Sequence, residues 1–387
     1  MVENLSEKEI FTIAVVYVEY NRTIIERSVL SMSEWTKLSK NEKDKALEIH
    51  EKAIVLDSSL VPKLRDDSFF KRAKKGSVTA ANVTMLYPWD DFRISMERIA
   101  QQYMWLNTYK NRALLATTAR DIETAKKEGK VAIIFGPQNA DYIENKLYLL
   151  EVYHKLGIRI VQLTYNENNL LGAGCVEKVD PGLSMFGHAV VEEMNRLGIL
   201  VDLSHCGINT TNDAIEASKD PVVFTHTGPR DRYDHFRNKY DSQIKAVAET
   251  GGVTSLTAFR TCIARGYGIP TTFEDLLDCI DWVVNLVGVD HVGFGTDFEE
   301  DPVEIGELMW RPDGRPNIMR GLSPDEARRI YSGGQPREQV GIRLDFNSIE
   351  HFPRLTMGLV YRGYSENDIL KVLGGNYMRV FKKVWGE

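Results

Sequence analysis

The chain has 387 residues, 43% apolar and 10% aromatic, enough to bury a large core without disulfides or a partner. Its formal charge of −7, with Lys and Arg scattered, argues against a nucleic-acid or anionic-membrane surface and leaves a small molecule as the expected partner. Four well-separated cysteines, Cys175, Cys206, Cys262 and Cys279, argue against a disulfide framework or a thiolate zinc knuckle and fit a reducing, cytoplasmic setting.

Residues 1–50 carry Glu, Lys, Leu and Ile at helical spacing and predict an N-terminal helical extension. Its apolar run follows an acidic start and is broken by Tyr17, Glu19 and Tyr20, unlike a signal peptide. No stretch approaches the ~20 apolar residues of a membrane span. From there to residue 387 a unit recurs in which a short β-branched run ends in polar residues and leads into an amphipathic helix. The expected strands are 53–59, 77–86, 130–138, 158–165, 200–205, 221–226, 251–259 and 291–298. Gly157 and Gly198 close two of the intervening helices. Eight alternations predict one (β/α)₈ barrel over 51–387; the absence of GxGxxG after the first strand argues against a doubly wound sheet. Residues 299–352 form a charged, Pro/Gly-rich insertion after the last strand, and two helices close the chain, with Ser365 as an N-cap before Asp368.

Barrel chemistry sits at the C-terminal ends of the strands, which here carry Asp57, Ser58, Ser59, Gln138, Tyr165, His205, His226 and Asp297. A lone strand-end histidine is usually structural, but two on neighbouring strands with a late aspartate read as a metal site. Tyr165 and Asn166 open a polar loop positioned to face a ligand. The other histidines read as structural or solvent-facing, with His235, nine residues past a strand, the exception.

The segments MNRLGILVDLSH, DAIEASKDPVVFTH, HFRNK, GGV and VDHVGFGTDF resemble those of the membrane (renal) dipeptidase family, peptidase family M19, over about residues 53–381. The resemblance implies an amidohydrolase-like barrel that hydrolyses dipeptides with two zinc ions bridged by a glutamate. It implies His205 and His226 as ligands of one zinc, Asp297 as the carboxylate that binds the other zinc and handles protons, and Arg237 as the group that holds a substrate carboxylate. A homodimer is implied too.

The departures are as informative. Where the family has a His-x-Asp pair the chain has Ser59 and Val61, and Gln138 stands in place of the bridging glutamate. Tyr165 stands where the family has a histidine. Losing those charges argues against a dinuclear centre and leaves one zinc or none, held by His205, His226 and Asp297 with Gln138 or a water. The expectation is a metal-dependent hydrolase of a small carboxylate-bearing amide or dipeptide-like substrate, with Asp297, Tyr165 and Arg237 as catalytic groups and Arg237, Tyr165, Asn166 and Ser59 contacting substrate. A lyase or decarboxylase with one metal or none, and a non-catalytic small-molecule binder, stay open as alternatives.

Overall fold

The computed structural model describes residues 34–62, 64–266, 271–299 and 346–386. The expected extension is described from residue 34 on, and residues 1–33 and most of the insertion, 300–345, lie outside the described residues.

The strands are β1 Leu56–Val61, β2 Ala80–Val83, β3 Ala113–Leu115, β4 Val131–Phe135, β5 Ile160–Gln162, β6 Leu200–Asp202, β7 Val222–Thr227, β8 Val253–Thr257, β9 Val292–Gly295 and β10 Phe298–Glu299. All named pairings are parallel, in the orders β10-β1-β2-β4-β3 and β5-β6-β7-β8-β9. A Phe135–Ile158 bridge joins the two sheets on one side. On the other, β9 runs on into β10, whose Phe298 pairs with Leu60 of β1. The result is a (β/α)₈ barrel with strands buried on both faces, which is why they read as continuous apolar runs.

Two of the strand expectations need correction. β3 escaped notice because three residues, ALL, carry no periodic signal; it pairs beside β4. The last expected strand, 291–298, is broken between β9 and β10 because Asp297 takes a φ of 56°, a left-handed conformation that Asp tolerates better than most residues.

The helices explain themselves locally. Met185–Leu197 is capped by Ser184, which accepts from Gly187 N, and ends at Gly198 with φ 71°, the left-handed stop the sequence indicates. Lys40–Lys52 starts with a Ser39/Glu42 capping box and docks on the barrel's last helices: His50 is buried between Thr356 Oγ1 (2.7 Å) and the Gly76 carbonyl (2.9 Å). The ending is in more pieces than the two helices expected: Phe352–Tyr361, Glu366–Leu370 capped by Ser365, a wide turn over Lys371–Gly375, and Asn376–Val384. Gly374 is needed there because a Cβ would lie 2.3 Å from the Ile54 carbonyl oxygen.

That ending closes the bottom of the barrel. Tyr377, Met378, Phe381 and Val384 pack on Leu56, Ala80, Ile160, Leu200 and Val253, the first residues of their strands. The Tyr377 hydroxyl reaches Ser255 Oγ (2.8 Å), itself 2.8 Å from Ser58 Oγ. Ser58 also donates within reach of the Thr225 and Phe294 carbonyls, so it is a central structural tie, as is Asp57, whose carboxylate accepts from Thr296 N (2.9 Å), Thr296 Oγ1 (2.6 Å) and Ser59 N (3.1 Å). With the bottom plugged, the accessible end is the C-terminal one.

Candidate active site

His205 follows β6 by three residues, and His226 lies within β7 where the register with β8 shifts between Phe224 and Thr227. Such irregularities re-aim side chains beside functional sites. The two imidazoles face each other with Nε2 atoms 2.9 Å apart. Asp297 Oδ1 is 4.0 Å from His226 Nε2. The three strand-end residues singled out in the sequence are therefore brought together.

Their supports are specific. His205 Nδ1 lies 2.7 Å from Asn166 Oδ1, and the Tyr165 ring stacks on His205 with centroids 4.1 Å apart. Tyr165 thus buttresses a histidine with its ring. His226 Nδ1 lies 2.8 Å from the Thr225 hydroxyl. Burial, then the Arg237 charge, push both histidines well below the ordinary imidazole range, so both are neutral at physiological pH.

Asp297 is held by neutral groups: Gln138 Nε2 donates to its Oδ1 (3.3 Å) and the Ser59 hydroxyl lies 3.5 Å from the same oxygen. Gln138 Nε2 also donates to Ser59 Oγ (3.1 Å). Gln138 therefore turns its donor end toward Asp297 rather than offering a ligand oxygen, contrary to its expected place among the metal ligands, and Ser59, buried beneath Asp297, positions that carboxyl. Burial raises the Asp297 carboxyl to about 6, against the lowering pull of Arg237.

Arg237 is buried, donates from Nη1 to the Ser204 carbonyl and from Nη2 to the His226 carbonyl (3.2 Å), and so ties the ends of β6 and β7 together while lining the recess. Lys239 is buried behind it, donating to the Cys206 carbonyl (2.6 Å) and Thr211 Oγ1 (3.0 Å), and burial lowers it to about 8. These two cations give the site a positive field that favours an anionic ligand.

The recess above holds about 320 Å³ of empty space open to solvent, lined by the two histidines, Asp297, Arg237, His235, Phe236, Thr257, Phe259 and Cys262. His235 belongs there, as its place after β7 hinted. Phe236, Thr257, Phe259 and Cys262 escaped sequence reasoning; the TAF ending of the seventh expected strand was the available signal. Cys262 is a buried thiol pushed up to about 12, hence inert, and Cys206, pushed up to about 11, is equally so. No group of three or more His, Cys, Asp or Glu among the described residues forms a ready metal cage. No helix among them is long and apolar enough to cross a membrane.

An uncharacterized dipeptidase of Schizosaccharomyces pombe is 31% identical over 297 residues, 75% of this chain and 62% of that protein. The dipeptidase tcpJ of Claviceps purpurea is 27% identical over 281 residues, 72% of this chain and 57% of its own length. The chain thus spans about three fifths of the curated relatives it matches. Among solved structures, an amidohydrolase from Pseudomonas aeruginosa superposes with a TM-score of 0.75 at 34% identity, covering 88% of this chain and 99% of that one. The sequence pattern of the membrane dipeptidases, peptidase family M19, matches residues 40–310, and the chain belongs to that family.

Proposed function

We propose that the protein is a dipeptidase-like hydrolase of small, carboxylate-bearing amides that works with a single zinc-class ion. The observation that carries this reading is the pair of neutral imidazoles whose Nε2 atoms face each other at 2.9 Å, with a carboxylate oxygen 4.0 Å from one of them. Donors ~2.1 Å from a shared ion are at most ~4.2 Å apart, so His205, His226 and Asp297 fit one ion with little movement. A second ion does not fit: Ser59 and Gln138 meet Asp297 with a hydroxyl and an amide nitrogen, neither of which offsets a second double charge.

Bound there, one ion supplies Lewis acidity to an amide carbonyl and acidifies water. The chain's own groups do the rest. The Asp297 carboxylate takes the proton of the attacking water and returns it to the leaving amine. Ser59 and Gln138 hold that carboxyl in place. Arg237 and the field of Lys239 draw the substrate carboxylate, and Phe236 and Phe259 keep the recess apolar on the β7–β8 side.

The test is elemental analysis of protein purified without chelator beside His205→Ala/His226→Ala, followed by a dipeptide and N-acyl amino-acid panel. About one zinc per chain, lost in the variant together with turnover, supports the reading; no bound zinc and no hydrolysis by zinc-replete protein would sink it. The neutral cradle of Asp297 favours, as a second reading, a non-hydrolytic step on a carboxylated metabolite, which water-derived oxygen in the product would exclude.

A further inference from the structure

We infer that Thr225, oriented by the buried Asp202 carboxylate, and Asn166 on the opposite side are positioning residues that lock His226 and His205 as Nδ1–H tautomers, leaving both Nε2 atoms bare and converging on one point. The inference rests on the preceding reading only for the identity of what binds at that point.

The argument is a count of protons. Asp202 Oδ1 accepts from Ser204 N (3.0 Å), Thr225 N (3.0 Å) and Ser204 Oγ (2.6 Å), and its Oδ2 lies 2.6 Å from Thr225 Oγ1. Burial raises this carboxyl, but two backbone N–H groups that can only donate and the Ser204 hydroxyl converge on Oδ1 and favour the ionised acceptor. Thr225 has one hydroxyl proton, and it goes to Asp202. Toward His226 Nδ1, 2.8 Å away, the same oxygen can then only accept, so Nδ1 carries the proton and Nε2 does not.

On the other side His205 Nδ1 faces the amide oxygen of Asn166 at 2.7 Å, which also receives the Cys175 thiol at 3.4 Å. An amide oxygen accepts, so His205 is again Nδ1–H. Asn166 holds this place with a φ of 56°, a left-handed conformation that Asn adopts more readily than most residues.

The consequence is a deliberately unfavourable apposition of two lone pairs across 2.9 Å. Left to themselves, two neutral imidazoles at that distance would shift one proton to Nε2 and form an N–H···N bond, which would close the site. The Asp202–Thr225 relay and Asn166 oppose that shift and keep the point open for an electrophile. Thr225 and His226 both lie in the stretch of β7 whose register with β8 shifts between Phe224 and Thr227, the kind of irregularity that re-aims side chains.

The experiment is long-range ¹H–¹⁵N correlation of the imidazole nitrogens in metal-stripped full-length protein, beside zinc affinity by competition with a chelating dye. Wild type is expected to show protonated Nδ1 and bare Nε2 at both histidines. Asp202→Asn reverses the relay, because an amide N–H donates to Thr225 Oγ1 and turns the Thr225 hydroxyl to donate a hydrogen bond to Nδ1, which must then accept, so His226 should switch to Nε2–H. Thr225→Val should lose the lock and weaken zinc about tenfold to a hundredfold, with Thr225→Ser restoring both readouts. An unchanged His226 tautomer in folded Asp202→Asn or Thr225→Val, or a wild-type Nε2–H, overturns the inference. Wild-type protein with the expected tautomers but no zinc affinity overturns the metal reading and leaves the lock standing.

Discussion

Replacing Asp297 by Asn should stabilise the metal-stripped protein at neutral and alkaline pH while removing its activity. Burial raises this carboxyl from 3.8 to about 6, so above that pH the folded state must hold a charge it disfavours. At roughly 1.36 kcal/mol per pH unit between those two values the upper bound is near ~3 kcal/mol. A quarter of the side chain is open to the recess, so water screens part of the cost and about 1–3 kcal/mol is the expected gain. The sign follows from linkage: because the folded pKa is the higher one, stability is fully present below about 4 and is lost as pH rises through about 6. The advantage of Asp297→Asn should therefore be absent at pH 4, grow to about pH 6.5 and level off. The variant's Oδ1 can still accept from Gln138 and Ser59, so packing is conserved. With roughly 2.1 cal/mol/K of unfolding entropy for each of 387 residues, 1 kcal/mol moves the midpoint only about 1 °C, so urea unfolding across pH is the better assay. Equal stability of variant and wild type at pH 8 would show that the carboxyl is not desolvated, and the argument for it as a near-neutral proton carrier would fall with it.

Gln138→Glu sets a second carboxyl about where an amide now lies 3.3 Å from Asp297, and mutual repulsion should raise the pair's upper apparent pKa, moving the acid limb of the kcat/KM profile to higher pH. Tyr165→Phe keeps the ring stacked on His205 and should retain activity within about threefold, whereas Tyr165→Ala should lose about tenfold or more; equal losses would mean the hydroxyl matters instead. Asp57→Ala strands the Thr296 N–H and hydroxyl and the Ser59 N–H in the barrel wall and should cost about 3 kcal/mol or more in urea unfolding. Lys239→Met should remove a pH dependence: burial lowers the wild-type amine to about 8, so folding gains stability between about pH 8 and 10.5 relative to the variant, and parallel curves there would contradict the burial of a charged amine.

The barrel was legible because its strands are buried on both faces and carry their polar residues at one end. The same logic exposed His205, His226 and Asp297, since the ends of β6, β7 and β9 converge wherever a βα barrel closes. What supports those residues was not legible. Asp202 and Thr225 sit inside strands, where an isolated polar residue gives no hint that it faces a neighbour's imidazole. Gln138 reads as a ligand from its position, yet its amide nitrogen is what meets Asp297, an orientation set by Ser59 and Asp297 together. Phe236, Phe259 and Cys262 come from loops whose paths depend on the whole rim.

The site is asymmetric in a way that bears on its chemistry. On the β6–β7 side each imidazole is held by a dedicated acceptor, Thr225 Oγ1 or Asn166 Oδ1, and the strand ends are tied by Arg237. On the β1–β4 side the groups near Asp297 are Ser59 and Gln138, which donate hydrogen bonds but bring no charge. A carboxylate beside a second cation would be held ionised at all physiological pH values and could only accept. In the metal-stripped protein burial raises Asp297 to about 6, against the lowering pull of Arg237, Gln138 and Ser59. Ser59 and Gln138 thus hold the Asp297 carboxyl by hydrogen bonds that favour its ionised form, while its burial beside them is what raises it, so the position of this carboxyl and its proton affinity have separate sources in the barrel wall.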